Sequence, residues 1–197
     1  MKTNVFRAWR LIAGLTLMAG QTFASGVSLV NSYWSPADFS DDFGPGLKLQ
    51  ASLSEIYALE FRTSLFPDMG EDVIVEEERV QVDLSVMPLE FGFIANVPYI
   101  YDPLVQSYVG GGFGYYLIDL SAKGPAGSID YNVSDEIGFF LVAGGRLHFT
   151  PELVMIAELQ YRIVEGEAKS KTEDGTTSEI DMKLNGFGAS LGLGVMW

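Results

Sequence analysis

The sequence has no cysteine and a single histidine among its 197 residues. The missing cysteines exclude a disulfide framework, a thiol nucleophile and any thiolate metal site. Basic residues are also scarce: 12 Lys and Arg stand against 26 Asp and Glu, for a net charge of −14. That balance excludes nucleic acid as a partner, because phosphate recognition needs clustered Lys and Arg. Beyond residue 24 no apolar run reaches the roughly 18 residues that would mark a transmembrane helix. Yet 48% of the chain is hydrophobic and 13% is aromatic. Something other than a helix must carry that apolar surface.

The first 24 residues read as a cleaved signal peptide. Lys2, Arg7 and Arg10 supply the charged start, Leu11–Gly20 a short apolar run, and Thr22-Phe23-Ala24 small residues at −3 and −1 of a cut after Ala24. The apolar run is too short for a bilayer, which needs about 20 residues. Removal of 1–24 leaves 25–197 as one domain. It also lowers the net charge to −17, since three cations leave and no acid does.

What is present is a period of two. Tyr57, Leu59, Phe61, Thr63 and Leu65 alternate with Ala58, Glu60, Arg62 and Ser64, and the same pattern runs through 139–149, 153–164 and 187–197. Strict alternation over such lengths marks strands. Eight are expected, at roughly 26–35, 43–54, 56–66, 79–96, 106–120, 136–150, 153–165 and 181–197. Pro88 falls inside the fourth, where it predicts a bulge and a change of face near Met87–Leu89. Long polar loops at 36–42, 67–78, 121–135 and 166–180 alternate with short turns at 54–55 and 150–152. Long connections at one end and short ones at the other describe an up-and-down antiparallel barrel.

Glycine on the less apolar face, acids gathered in the loops and aromatics near strand ends point the apolar face toward lipid. The girdles so expected are Tyr57, Tyr108, Phe149 and Trp197 at the short-turn end. At the long-loop end they are Tyr33, Trp34, Phe66, Tyr115 and Tyr161. The signal peptide, the segment PLVQSYVGGGFGYYLIDL and the closing SLGLGVMW together resemble the small eight-stranded outer-membrane β-barrels of Gram-negative bacteria, the OmpA/OmpW-like class. The resemblance spans essentially all of 25–197. It implies an all-β, eight-stranded antiparallel up-and-down transmembrane barrel. It also implies that Phe187, Leu191, Leu193, Val195 and Trp197 form the C-terminal signal read by the barrel-assembly machinery. Trp197 stands where Phe is commonest in that class, and the periplasmic domain of larger relatives is not expected.

The parity of the strands aims Glu60, Arg62, Arg146, Glu158 and Arg162 into the lumen, and Glu90 after the shift at Pro88. Eight strands enclose only enough space for side chains to fill, and buried charges must pair. The expected role is a plug, with a gated polar conduit as the alternative. Arg146 and Arg162 would each seek Glu60, Glu90 or Glu158. His148 lies near the short turns, away from the leaflet that holds lipid A, and no serine stands two residues from it. Catalytic, cofactor and metal residues are therefore none. The acidic stretch Glu71–Arg79 offers carboxylates to hard cations but matches no calcium-loop spacing. Gly110–Gly114 precedes no helix and is no nucleotide loop. Asn132-Val133-Ser134 is a formal glycosylation sequon with no meaning in a bacterium.

The expected function is non-enzymatic: a structural, surface-interaction or small-solute permeability role in the outer membrane. An OmpW-like carrier of small hydrophobic compounds is the alternative, with a sideways opening near Pro88. A lipid A-modifying enzyme is the third reading. The expected partners are outer-membrane lipids and lipopolysaccharide, and the chain is expected to be a monomer.

Overall fold

A computed structural model describes residues 25–75, 78–101, 104–124, 127–133, 135–171 and 177–197. The predicted signal peptide, the side chains of 71–82 and the sequon's Ser134 lie outside the described residues. The strands in chain order are β1 (Gly26–Pro36), β2 (Asp42–Ser52), β3 (Tyr57–Ser64), β4 (Glu71–Val75), β5 (Glu78–Tyr101) and β6 (Val105–Gly124). They continue with β7 (Gly127–Val133), β8 (Glu136–His148), β9 (Leu153–Ile163), β10 (Glu165–Lys171), β11 (Thr177–Lys183) and β12 (Gly186–Met196). Eight of them, β1, β2, β3, β5, β6, β8, β9 and β12, pair antiparallel in succession. The ring closes where β12 meets β1, from Gly26 opposite Met196 to Pro36 opposite Gly186.

The register places even residues opposite even residues around the whole ring. Lys48 faces Arg62, Arg62 faces Glu90, Phe140 faces Arg162, and Glu158 faces Ser190. A period of two turns this into a rule for the wall: even side chains point inward and odd ones outward. Leu29, Phe113, Phe139, Leu159 and Phe187, all odd, are each more than half exposed. Cross-strand ring pairs knit this outer surface, among them Phe61 with Phe91 at 4.8 Å and Tyr161 with Phe187 at 4.8 Å. An apolar band of this extent around a whole molecule is what lipid covers.

The same rule corrects the girdles. Trp34, Phe66 and Tyr108 are even-numbered and buried inside the barrel, not spread on its rim. Tyr57, Phe149, Tyr115, Tyr161 and Trp197 do lie on the outside, where Tyr115 donates to Asp135 at 2.9 Å.

Pro88 does not shift the face. The pairing of β5 with β6 runs unbroken from Gln81–Lys123 to Asn96–Tyr108, and its one irregularity lies between Asn96 and Tyr101. Pro88 acts on the other edge. Val86 and Phe66 exchange both backbone hydrogen bonds at 2.9 Å, so Pro88, two residues on, also faces β3. Its missing N–H interrupts the ladder there. Strand β3 ends at Ser64 and resumes as an isolated bridge at Phe66, in the same register.

Three of the expected polar loops are in large part strands. Strand β4 lies along β5 from Glu71–Val82 to Val75–Glu78, β7 folds back antiparallel along β6 from Gly124–Gly127 to Leu120–Tyr131, and β10 pairs with β11. Strand β10 also meets β7 at Ala168–Val133. Val73, Ile74 and Val75 face Val80 and its neighbours in sequences whose acids suggested loops. Their β-branched side chains favour extended backbone wherever a partner strand is at hand. At the opposite end the connections are tight. Ser54 Oγ accepts from the Tyr57 N–H at 3.1 Å, and Thr150 Oγ1 accepts from the Leu153 N–H at 2.9 Å.

Leu159, outward and midway along β9, tests the facing of the wall. Leu159→Arg should lower unfolding stability in lipid vesicles by about 2–4 kcal/mol, the cost of a cation at the bilayer midplane. Denaturant titration followed by tryptophan fluorescence measures it.

Candidate functional site: the filled lumen

The lumen holds the chemistry of the molecule. Glu60, Arg62, Glu90, Arg146, Glu158 and Arg162 are each at most 4% exposed inside it. Lys48, which sequence reasoning passed over, is buried with them. They fall into three tiers.

The middle tier centres on Glu158 of β9. Its carboxylate accepts from the Lys48 ammonium of β2, from the Tyr108 hydroxyl of β6 at 2.5 Å and from Gln160 Nε2 at 3.4 Å. Arg62 Nη2 of β3 lies 3.5 Å away and pairs more closely with Glu60. Glu60 in turn lies 3.2 Å from Lys48 Nζ. A hydroxyl chain continues this tier around the wall. Gln160 Nε2 donates to Ser190 Oγ at 3.0 Å, Ser190 and Ser32 share a bond at 2.9 Å, and Ser64 Oγ donates to Ser32 Oγ at 3.0 Å.

The tier toward the long hairpins is an ion pair under an apolar stopper. Arg162 Nε donates to Glu90 at 2.8 Å, and the Tyr116 hydroxyl donates to the same oxygen at 2.8 Å. Above them Trp34, Phe66, Met69, Leu84, Val86 and Leu184 are all at most 1% exposed. Glu90 reaches the lumen through the unbroken parity of β5 rather than through a shift at Pro88.

The tier toward the short turns contains Arg146. It meets no carboxylate among the described residues. Its guanidinium donates to Asn96 at 3.0 Å, Gln106 at 3.2 Å and Gln50 at 2.8 Å, and it stacks 4.1 Å from the Tyr108 ring. Glu158 is already occupied by Lys48, Arg62 and Tyr108, so amide oxygens and a ring face solvate the fourth cation.

Several buried donors lack a protein partner among the described residues, including Nε and Nη1 of Arg62 and Nη1 of Arg162. Both guanidinium groups lie against aromatic faces, Arg62 over Phe140 at 4.9 Å and Arg162 over Trp34 at 4.8 Å. The ring quadrupoles take up part of the charge that hydrogen bonds leave over.

Inward glycines make room for these long side chains. A Cβ on Gly144 would stand 2.8 Å from both Glu158 Cγ and Tyr108 Cζ, and one on Gly188 would stand 3.0 Å from Arg162 Nη1. Gly192 and Gly194 do something else: they lie against Val30 and Ser28 of β1, at the closing seam.

The other candidate residues lie away from the lumen. Phe187, Leu191, Leu193, Val195 and Trp197 all face outward from β12 or its end. His148 sits half-buried at the short-turn rim, where its backbone N–H bonds the Leu104 carbonyl. Among the described residues no three His, Asp or Glu side chains converge as metal ligands would. Lys48, Tyr108, Tyr116, Gln160 and the serines were all findable, since each is even-numbered on a wall strand whose known inward residues are even.

A scan against protein-family models and a search of curated proteins both find no match. Solved structures do match. The outer membrane protein AlkL, determined in lipid bilayers, gives a TM-score of 0.60 at 16% identity, over 89% of this chain and 90% of that one. Neisserial surface protein A gives 0.54 at 13% identity, over 87% and 95%. The Escherichia coli outer membrane protein W gives 0.53 at 15% identity, over 89% and 100%. The shared property is architecture: this chain has the fold of the small eight-stranded outer-membrane barrels.

The Glu90–Arg162 pair is open to a direct energetic test. Glu90→Gln alone should cost about 3–5 kcal/mol, because it strands a buried guanidinium. The double variant Glu90→Gln/Arg162→Met should recover most of that loss. Urea unfolding of the single and double variants in vesicles measures both.

Proposed function

We propose that this protein is a non-enzymatic integral protein of the outer membrane, exported by a signal peptide cut after Ala24. In this reading its barrel is closed to solutes and anchors a rigid surface of strands outside the cell. The observation that carries the proposal is the lumen. Two layers of paired charge and an apolar stopper of Trp34, Phe66 and Leu84 fill it among the described residues, which supports a closed barrel. Small-solute permeability is therefore the weakest of the three expected roles, and anchoring or surface interaction the strongest. By the general orientation of such barrels the long hairpins face outward and the short turns face the periplasm. Strands β6, β7, β10 and β11 then form one paired sheet standing above the wall on the outer side. One of the proteins similar in fold is named as a surface protein. Lipids and lipopolysaccharide surround the odd-numbered face, and the outward residues of β12 are those the assembly machinery would meet.

A second reading keeps the carrier of small hydrophobic compounds. It rests on the interrupted ladder between Ser64 and Pro88, which lies beside the buried Phe66, Val86 and Leu84. An enzyme acting on lipid A is disfavoured by the place of His148 at the short-turn end.

Planar-bilayer recording separates these. The purified protein should give no large, stable single-channel steps, and uptake of a radiolabelled alkane by cells should be unchanged when it is deleted. Stable conductance steps would overturn the closed lumen. A fall in alkane uptake that Ser64→Trp reproduces would favour the carrier.

A further inference from the structure

Trp34, Gly188 and Gln160 stand in one row across the inner wall. Gly188 of β12 pairs with Trp34 of β1 on one side and with Gln160 of β9 on the other. All three are even-numbered, so the two side chains flank the bare inner face of the glycine. Arg162, one pleat further along β9, arches over the same spot. Its Cζ lies 4.8 Å from the Trp34 ring. A Cβ on Gly188 would stand 3.0 Å from Arg162 Nη1 and 3.8 Å from Gln160 Cβ.

Each of these side chains brings a polar atom that no described protein group meets: Trp34 Nε1, Arg162 Nη1 and Gln160 Oε1. The three residues are at most 4% exposed, so bulk solvent does not meet those atoms either. Buried polar atoms are costly without a partner. The other bonding faces are taken. Arg162 Nε and Nη2 turn to Glu90. Gln160 Nε2 turns to Glu158 and Ser190. A carboxylate demands the nitrogen of the amide, which fixes its oxygen on the other side, toward the glycine.

The three atoms select what fits. Two are donors and one is an acceptor. A halide or a carboxylate would accept from Trp34 and Arg162 but face the lone pairs of Gln160. A cation would suit Gln160 but face two N–H groups and a guanidinium charge. A small neutral molecule that both accepts and donates satisfies all three.

We propose that one water molecule is bound over Gly188, accepting from Trp34 Nε1 and Arg162 Nη1 and donating to Gln160 Oε1. Three hydrogen bonds are the usual complement of a buried water, and a polar site of this kind holds one. The water joins two tiers of the lumen that share no hydrogen bond among the described residues. Arg162 belongs to Glu90, and Gln160 belongs to Glu158 and the serine chain. With the water in place they form a single network. The site stands whether or not the barrel conducts.

Tryptophan labelling makes the test clean. Beyond residue 24 the sequence has two tryptophans, Trp34 and Trp197, the first buried and the second exposed. Protein with nitrogen-labelled tryptophan and arginine is reconstituted in lipid vesicles and studied by solid-state NMR that selects magnetisation from water. At short mixing times the Trp34 indole proton and the Arg162 Nη1 protons should both receive it. Gln160→Leu removes the acceptor, so the Trp34 cross-peak should lose most of its intensity while that of Trp197 stays. Replacing chloride by bromide in the buffer should leave the Trp34 nitrogen shift unchanged. No transfer to Trp34, transfer to only one of the two groups, or full intensity in Gln160→Leu would overturn the proposal. So would a shift with bromide, which would put an anion in the site. The variant is read only if it keeps the gel shift between boiled and unboiled samples. If it does not, the paired cross-peaks of the wild type decide alone.

Discussion

A ring of eight strands encloses a space that side chains fill, and this protein fills it with charge. Three carboxylates and four cations sit inside a wall whose outer surface is apolar. None of these charges can reach bulk water, so each must be met by an opposite charge, a hydroxyl, an amide or a ring face. Glu158 and Glu90 are the two centres about which the rest arranges itself. Lys48, Arg62 and Tyr108 gather on the first, Arg162 and Tyr116 on the second. The inward glycines follow from the same need. Gly144 leaves space for Glu158 and Tyr108, and Gly188 leaves space for Arg162.

The lumen is graded along its axis. At the short-turn end Arg146 is held by neutral amides. In the middle the charges pair, and toward the hairpins the interior turns apolar. Such a gradient does not suit a water-filled path.

Much of this could be read from the residues. The alternation around Glu60 and Arg62, and again around Glu158 and Arg162, aims these charges inward because a strand has no other period. Lys48 escaped notice because it sits between Leu47 and Leu49 in a short stretch rich in glycine, although its even number placed it in the same column. Distance along the strand alone points Trp34, Phe66 and Tyr108 to the rim, but parity decides between rim and lumen. Pro88 suggests a bulge because a proline cannot donate to a ladder. The wall instead loses its bond on the β3 side only and keeps its register on both sides. The hairpin strands were hidden by acidic composition, which reports solvent exposure and says nothing against extended backbone. The choice of Arg146 for amides over carboxylates depends on which partners Lys48 and Arg62 have already taken, and no local pattern in the sequence carries that.

The inward charges of the wall are held away from bulk solvent, and the Glu90–Arg162 pair is the plainest of their contacts. Solid-state NMR of the reconstituted protein, with arginine side-chain nitrogen and glutamate carboxyl carbon labelled, tests it most directly. A resolved contact between Arg162 Nε and the Glu90 carboxyl is expected, with guanidinium protons that exchange slowly with solvent. Averaged, rapidly exchanging arginine signals with no contact to a carboxylate would contradict it.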